Sequence, residues 1–275
     1  MTSDADEGNV ASARSLLSTV LTLHVVPQGG AVWTSTLVEG LARLDIQHKS
    51  ARQAILRLSA DGWLVAERHG RHARLQLTAF AHQQMQRQQH IARFEAATSD
   101  REWLVLLLSI EQADRESRRR LRRTLQSFGW GNISPGAWLT YGSASQSAVL
   151  DVIGRQGLEG AATFVRAEFL GPLPIDELIA RTWDLSALRH RYSAFLERFE
   201  PMKPGTDEEA FVARARLTET WIRSFRSDPF LPDAYLPADW PGSDARQLLN
   251  GRMAQWTGPA DRWWKQRSGS PSTDV

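Results

Sequence analysis

Residues 46–64, IQHKSARQAILRLSADGWL, are the most informative part of the sequence for the fold. Four of its apolar residues recur at the i, i+3, i+4, i+7 spacing of one helix face: Ala51, Ala54, Ile55 and Leu58. This spacing predicts a helix over residues 48–60 that buries one face. On a helix of about 3.6 residues per turn the intervening side chains point away from the core. The helix therefore presents a polar and cationic surface.

This helix belongs to a predicted order of helix, helix, helix, hairpin and helix. The turn His69-Gly70 is predicted to join two strands as a two-residue hairpin, because glycine readily adopts positive φ. The order predicts a winged helix-turn-helix domain over residues 12–97, which is a normal domain size. The elements around the central helix are predicted at 13–26, 34–44, 63–68, 71–77 and 78–97.

The outward face of the helix carries residue types that read DNA bases. Arg and Lys donate to guanine, Gln pairs with adenine and an exposed aliphatic side chain contacts the thymine methyl group. A polar and cationic helix face alone is commonly only a solvated surface. Its position after a helix and turn, and before a basic hairpin, makes the indication of DNA binding more specific. The helix residues predicted to contact DNA are Gln47, His48, Lys49, Arg52, Gln53, Leu56 and Arg57.

The hairpin supplies a second predicted contact, along the DNA backbone or in the minor groove. The window 43–74 holds seven Lys/Arg against three acidic residues, whereas the whole chain has 33 Lys+Arg and 31 Asp+Glu, a net charge of +2. A locally basic module in a near-neutral chain suits binding of a polyanion by one face. The predicted hairpin contacts are His69, Arg71, His72 and Arg74.

Composition argues against several other classes of protein. The chain has no cysteine, so disulfides, zinc fingers and thiolate nucleophiles are excluded. Its seven histidines form no HExxH pair, and we predict no metal site, catalytic residue or cofactor. The longest apolar run, 103–110, is too short to cross a bilayer. The N-terminus lacks the features of a secretory signal, so we expect a cytoplasmic protein without a membrane partner.

Two more domains are predicted after a change of composition at residues 98–100, which makes the fold class α+β multidomain. The first has the strand and helix pattern of a ferredoxin-like βαββ-type domain, and the second is helical. A last helix is expected over 243–256, with Trp263-Trp264 as a docking or dimer contact. The predicted divisions are 12–97 (winged helix-turn-helix), 100–174 (ferredoxin-like), 175–262 (helical), and 1–11 and 265–275 (disordered tails).

Several motifs, in order along residues 13–256, resemble those of the PaaX family, which comprises repressors of phenylacetate catabolism and related regulators. The stretch 46–64 is the first, with Val32-Trp33 before it and the run 70–78 after it. The others are FGWG at 128–131, SPGAWL at 134–139, WDL at 183–185, DPFLP at 228–232 and LPADWPGSDAR at 236–246.

The resemblance implies a winged helix, a central domain like the small ferredoxin-like CRISPR-associated nuclease, and a helical C-terminal domain. It also implies a homodimer that binds a palindromic operator in double-stranded DNA and is released by an aryl-CoA thioester, typically phenylacetyl-CoA. Gln47 departs from the family, in which a serine commonly caps the recognition helix, and glutamine is a poor N-cap. Leu56 replaces a small polar residue, so we expect a different base preference.

Candidate inducer contacts lie outside the winged helix. Arg119 and Arg123 belong to an arginine row on a predicted helix and suit the phosphates of CoA, although such rows are commonly solvated. Arg181 and Trp183 lie at a predicted domain junction, where ligand pockets are common. The alternative for this pair is a Trp183 packed in the core and an Arg181 on the surface.

Two other functions stay open beside a repressor that is not an enzyme. A metal-dependent nucleic-acid hydrolase would use the central domain and would need an acidic metal ligand at the end of its first strand. That strand ends Ser109-Ile110-Glu111, without an aspartate. The second alternative is an architectural DNA-binding protein that responds to no inducer.

Overall fold

The computed structural model describes residues 12–85, 102–109, 115–142 and 145–269. Within these residues the chain is a mixed α+β protein with two antiparallel sheets. No helix among them is both long and apolar enough to cross a membrane. Several predictions lie outside the described residues: the tail 1–11, the helix beyond residue 85, the strand end at 110–111 and the tail from 270.

The described part of the N-terminal segment forms three helices before the hairpin, the start of a further helix at residues 79–85 after it, and a three-stranded sheet in the order β1-β3-β2. After α1 the chain makes a π-helical turn at Leu21–Val25. This helical segment ends at Gly29, which has a positive φ of 90°. The elements are α1 (Ala13–Val20), β1 (Ala31–Trp33), α2 (Thr34–Ala42), α3 (His48–Ala60), β2 (Leu64–His69) and β3 (His72–Leu77).

The hairpin between β2 and β3 turns one residue later than predicted. His69 and His72 pair across the ladder, so Gly70 and Arg71 are the two turn residues. Gly70 has a φ of 61°, which is the conformation that this turn needs and that glycine adopts without a steric penalty.

The middle of the chain forms a four-stranded sheet in the order β5-β6-β4-β7, with every neighbouring pair antiparallel. Alternate residues of a strand face opposite sides, and each side has its own core. On one side Leu104 and Leu106 pack with α4 and α5; on the other Trp103 packs with α6. The elements are β4 (Trp103–Leu108), α4 (Arg115–Ser127), β5 (Gly131–Ser134), β6 (Ala137–Tyr141), α5 (Gln146–Arg155), β7 (Ala162–Ala167) and α6 (Ile175–Thr182).

The last three helices are α7 (Leu185–Phe199), α8 (Asp207–Phe225) and α9 (Gly242–Ser268). Helix α9 is longer than the predicted 243–256, and it includes residues 265–268 of the expected tail. An interior proline costs a helix about 3 kcal/mol, but burial of large aromatic side chains on both sides of Pro259 offsets this cost. The buried residues on this face are Trp256, Ala260, Trp263 and Trp264.

Of the two roles expected for Trp263-Trp264, the structure shows docking within the chain, and the expected dimer contact is wrong. Both side chains are buried within the chain, in the same core as the apolar residues of α1, α2 and α3. The local sequence shows two adjacent tryptophans but does not indicate which helices they pack against.

Contacts divide the chain into two compact units, each built from separate segments. The first unit draws on Met1–Phe94, Phe195–Ile222 and Arg246–Val275, and the second on Glu95–Ala194 and Arg223–Ala245. The first unit therefore contains α1, α2, α3 and the hairpin together with most of α8 and α9. The three consecutive domains expected from the sequence stay a prediction.

Candidate nucleic-acid interface

Helix α3 is built as an amphipathic helix with one apolar face. Ala51, Ala54, Ile55 and Leu58 are buried, as their spacing predicts. Gln47 is the N-cap residue, and its side chain makes no capping hydrogen bond. The first turn of α3 thus lacks the side-chain acceptor that Ser, Thr, Asp or Asn would supply, and the Gln47 side chain stays exposed.

The opposite face of α3 is open to solvent. Leu56 lies on this face and is 67% exposed. No carboxylate among the described residues lies within ion-pair distance of Lys49, Arg52 or Arg57. The exposed residues of the set predicted on this helix are Gln47, His48, Lys49, Arg52, Gln53, Leu56 and Arg57.

The hairpin presents a second cationic surface. Arg71 is exposed at the turn, and its Nε lies 3.3 Å from His72 Nε2. The Arg74 guanidinium lies 5.7 Å from the Trp33 ring, within the range of a cation–π interaction. The ring centroids of the same tryptophan and His69 lie 5.6 Å apart in an edge-to-face arrangement. Of the four predicted hairpin residues, His69, Arg71 and Arg74 are exposed and His72 is half-buried.

Trp33 was missing from the sequence-based set although it orders this surface. Its ring supports two of the predicted contact residues, and it lies on β1, paired with Arg74 in the sheet. The signal that would have identified it is the β1–β3 pairing, which joins residues distant in sequence.

Two of the three acidic residues within the basic window 43–74 are paired with arginines, and the third lies near a histidine. Asp45 accepts from Arg216, and Asp61 lies 2.8 Å from Arg14. Glu67 lies 3.7 Å from His69 Nε2. Because Arg14 and Arg216 lie outside the window, they neutralise two of its negative charges, and the local excess of positive charge is larger than the sequence of the window alone indicates.

The first unit also buries a histidine away from this surface. The His24 ring lies 5.2 Å from both Phe211 and Trp264, and its Nδ1 is 3.1 Å from Asp261 Oδ1. Burial lowers the pKa of His24, which outweighs the raising effect of Asp261. Burial raises the pKa of Asp261, but the contact with His24 and the charge of Arg214 outweigh it and hold that pKa below its usual value.

The four predicted inducer contacts lie in the second unit and do not form one site. Arg119 and Arg123 are exposed on α4, which covers one face of the sheet. Arg181 and Trp183 belong to the opposite face. Arg181 is exposed and pairs with Glu177. Within the described residues no group of three or more His, Cys, Asp or Glu side chains is placed to hold a metal ion.

Comparison with known proteins identifies the family of the chain, which its geometry alone does not. Three PaaX sequence models match consecutive parts of the chain: PaaX-like protein at residues 12–81, PaaX protein central Cas2-like domain at 96–179 and PaaX-like protein C-terminal domain at 183–266. The chain belongs to the PaaX family.

Individual relatives cover most of this PaaX-family chain. It is 28% identical over 249 residues to the transcriptional repressor PaaX of Escherichia coli strain K12, with 86% of this chain and 78% of the relative covered. Among solved structures it is similar to the uncharacterized protein Rv0674 from Mycobacterium tuberculosis. That match has a TM-score of 0.59 and 22% identity, and covers 91% of this chain and 98% of the other.

Three of the motifs that resemble the PaaX family meet at one place in the second unit. Trp183 Nε1 donates to the carbonyl oxygen of Gly129 at 3.1 Å. A Cβ on Gly129 would overlap the carbonyl of Asp228, and a Cβ on Gly131 would overlap Trp183. The motifs around these residues thus meet by close backbone packing that glycine permits. Trp183, at the centre of this contact, is buried, with 9% of its surface exposed.

Proposed function

We propose that this PaaX-family protein is a transcription regulator that binds double-stranded DNA through a winged helix-turn-helix, with α3 in the major groove. The observation that carries the proposal is the exposed row of Lys49, Arg52 and Gln53 opposite the buried face of α3. These side chains are long donors that suit base edges in the groove. Arg57 is on the flank and suits a phosphate.

The arrangement of elements supports this proposal. Two helices, α2 and α3, are joined by a short turn and followed by a hairpin, which is the order of a winged helix-turn-helix. The hairpin tip carries Arg71 and Arg74 for phosphate contacts. In the second unit the order β5-β6-β4-β7, with α4 and α5 on one face, favours a ferredoxin-like assignment of the central sheet.

The relationship to a protein named as a transcriptional repressor favours repression over activation. We also propose a cytoplasmic homodimer on a palindromic operator, because a two-fold symmetric protein matches a two-fold symmetric site. An aryl-CoA thioester is the proposed inducer, and Arg119 and Arg123 are candidate contacts for its phosphates, since both guanidinium groups are exposed. This proposal involves no enzyme activity.

Selection of binding sites from a randomised duplex library tests the DNA-binding proposal. Wild-type protein should enrich a defined sequence, and the variant Lys49→Ala/Gln53→Ala should lose most of that preference. The matched control is Gln247→Ala/Lys265→Ala, which removes the same residue types from exposed positions of α9. If the wild type enriches no sequence, or if both double variants enrich the same sequence as the wild type, the proposal fails.

A second pair of measurements addresses the alternatives. Titration of the complex with a panel of aryl-CoA thioesters should release the DNA, and an inducer can do so only by binding the DNA-competent state more weakly. Release by no thioester would favour an architectural DNA-binding protein. Incubation of RNA and DNA with the protein and Mg²⁺ or Mn²⁺ should give no cleavage, whereas EDTA-sensitive cleavage would favour a hydrolase.

A further inference from the structure

The outer face of helix α2 is covered by helices α8 and α9 of the first unit. The apolar face of α2, including Leu37 and Leu41, points toward α1 and α3. A second face, at the spacing i, i+3, i+4, i+7, would normally be solvated in a short amphipathic helix. Here its members Thr36, Glu39, Gly40 and Arg43 each contact α8 or α9.

Helices α2 and α9 approach each other closely at Gly40. A Cβ on this residue would lie 3.1 Å from Trp264 Cζ3 and 3.4 Å from Phe211 Cζ. Glycine inside a helix costs roughly 0.5–1 kcal/mol relative to alanine, and the close approach of two buried aromatic rings accounts for its presence. Trp264 also stacks on His24 at 5.2 Å, so one side chain of α9 contacts two elements of the N-terminal segment.

Polar contacts with Arg267 of α9 also hold this face of α2. Arg267 Nε lies 2.9 Å from Glu39 Oε1, and the carbonyl oxygen of Arg267 accepts a hydrogen bond from Thr36 Oγ1 at 3.1 Å. The Arg267 guanidinium is itself held 4.3 Å from the Trp263 ring. Both partners of this ion pair have only 27% of the side chain exposed, so it is screened less than a surface pair.

Two further ion pairs act where α2 passes into α3. Arg43 Nη1 lies 3.3 Å from Glu208 Oε1, and Arg216 pairs with Asp45. Asp45 is in the turn between the two helices and has a φ of 63°, a left-handed conformation that few residues other than glycine adopt readily. This turn sets the angle between α2 and α3. Its left-handed residue, Asp45, is the one that Arg216 of α8 contacts.

We propose that α8 and α9 position α3 for sequence-specific DNA binding, and that Glu39, Gly40 and Arg267 are positioning residues although none of them belongs to the exposed face of α3. This inference rests on the proposed function of α3. A base contact is sensitive to small displacements of its side chain, so the helices that hold a reading helix determine how well it discriminates. A perturbation of the α2 face should therefore weaken binding to the preferred sequence more than binding to other sequences.

A charge-swap experiment on the Glu39–Arg267 pair tests the inference. The full-length variants Arg267→Glu, Glu39→Arg and Glu39→Arg/Arg267→Glu are compared with wild type for binding to the selected duplex and to a scrambled duplex. We expect each single variant to lower the ratio of the two affinities about tenfold and the double variant to return it to within about threefold. Loss of fold alone would lower both affinities together and leave the ratio unchanged.

The outcomes separate this inference from the proposal on which it rests. A wild-type ratio near one means that α3 reads no sequence, and the proposed function fails. A high wild-type ratio that survives both single charge reversals overturns the positioning role. If the reversals do not fold, Glu39→Gln carries the test: a ratio lowered by about threefold supports the inference, and an unchanged ratio overturns it.

Discussion

Replacement of Gly40 by alanine should destabilise the first unit, against the usual effect of this substitution in a helix. Alanine normally stabilises a helix interior relative to glycine by roughly 0.5–1 kcal/mol. At Gly40, however, the new Cβ would lie 3.1 Å from Trp264 Cζ3 and 3.4 Å from Phe211 Cζ, and both of these residues are buried. Overpacking of this kind costs about 1–3 kcal/mol, so we expect a net loss of about 1–2 kcal/mol in the free energy of unfolding.

Gly251 is the matched control for this prediction. It lies in helix α9 of the same unit, and a Cβ there would meet no atom within 4 Å. Gly251→Ala should therefore stabilise the protein by roughly 0.5–1 kcal/mol. Urea denaturation followed by far-ultraviolet circular dichroism measures both variants, and an unchanged m-value shows that the change lies in stability. If Gly40→Ala stabilises the protein as much as Gly251→Ala does, α9 does not pack on α2 as described.

Three other expectations concern single side chains. Arg52→Ala should lose about 1–3 kcal/mol of binding free energy on the preferred sequence and relax the preference at one position, as a site selection would show; a uniform loss on all sequences would contradict a base contact. Arg71→Ala should weaken binding to all sequences alike and reduce the slope of log K against log salt by about 0.9; an unchanged slope would argue against a phosphate contact. His24 has a lowered pKa in the fold because it is buried, so the unfolded chain takes up its proton first as the pH falls, and wild-type stability should decline as the pH falls below 6.5. His24→Gln should remove that decline in denaturation curves measured across this range, and parallel pH profiles for the two proteins would refute the assignment.

The element order could be predicted because it follows from local patterns. The i, i+3, i+4, i+7 spacing in α3 corresponds to its buried face, and Gly70 marks the hairpin turn to within one residue. Gln47 is the N-cap without a capping hydrogen bond, as its side chain suggests. These features depend on residues close in sequence, and the periodicity of a helix or the φ preference of glycine is sufficient to detect them.

Features that depend on distant residues could not be predicted in the same way. The sequence predicts too early an end for α9, because Pro259 argues against a helix and the tryptophans on both sides of it gain their burial from helices far away in sequence. The pairing of Arg216 with Asp45 joins residues 171 positions apart. The contacts of Trp33 with Arg74 and His69 likewise depend on strand pairing. The DNA-reading residues themselves stay a prediction, since their exposure permits contact with DNA and only a binding experiment identifies the partner.

The composition of the first unit has a consequence for how the protein is made. Its core needs Trp264 of α9 as well as Leu37 of α2, so a ribosome must synthesise α9 before this core can close. The second unit can fold earlier, because its segments end at Ala245. Until α9 has been synthesised, a nascent chain would thus expose the part of this core that Phe211 and Trp264 cover, and chaperones commonly bind such apolar surfaces during translation. An isolated N-terminal fragment should remain in that aggregation-prone state, because the helices that cover α2 never arrive.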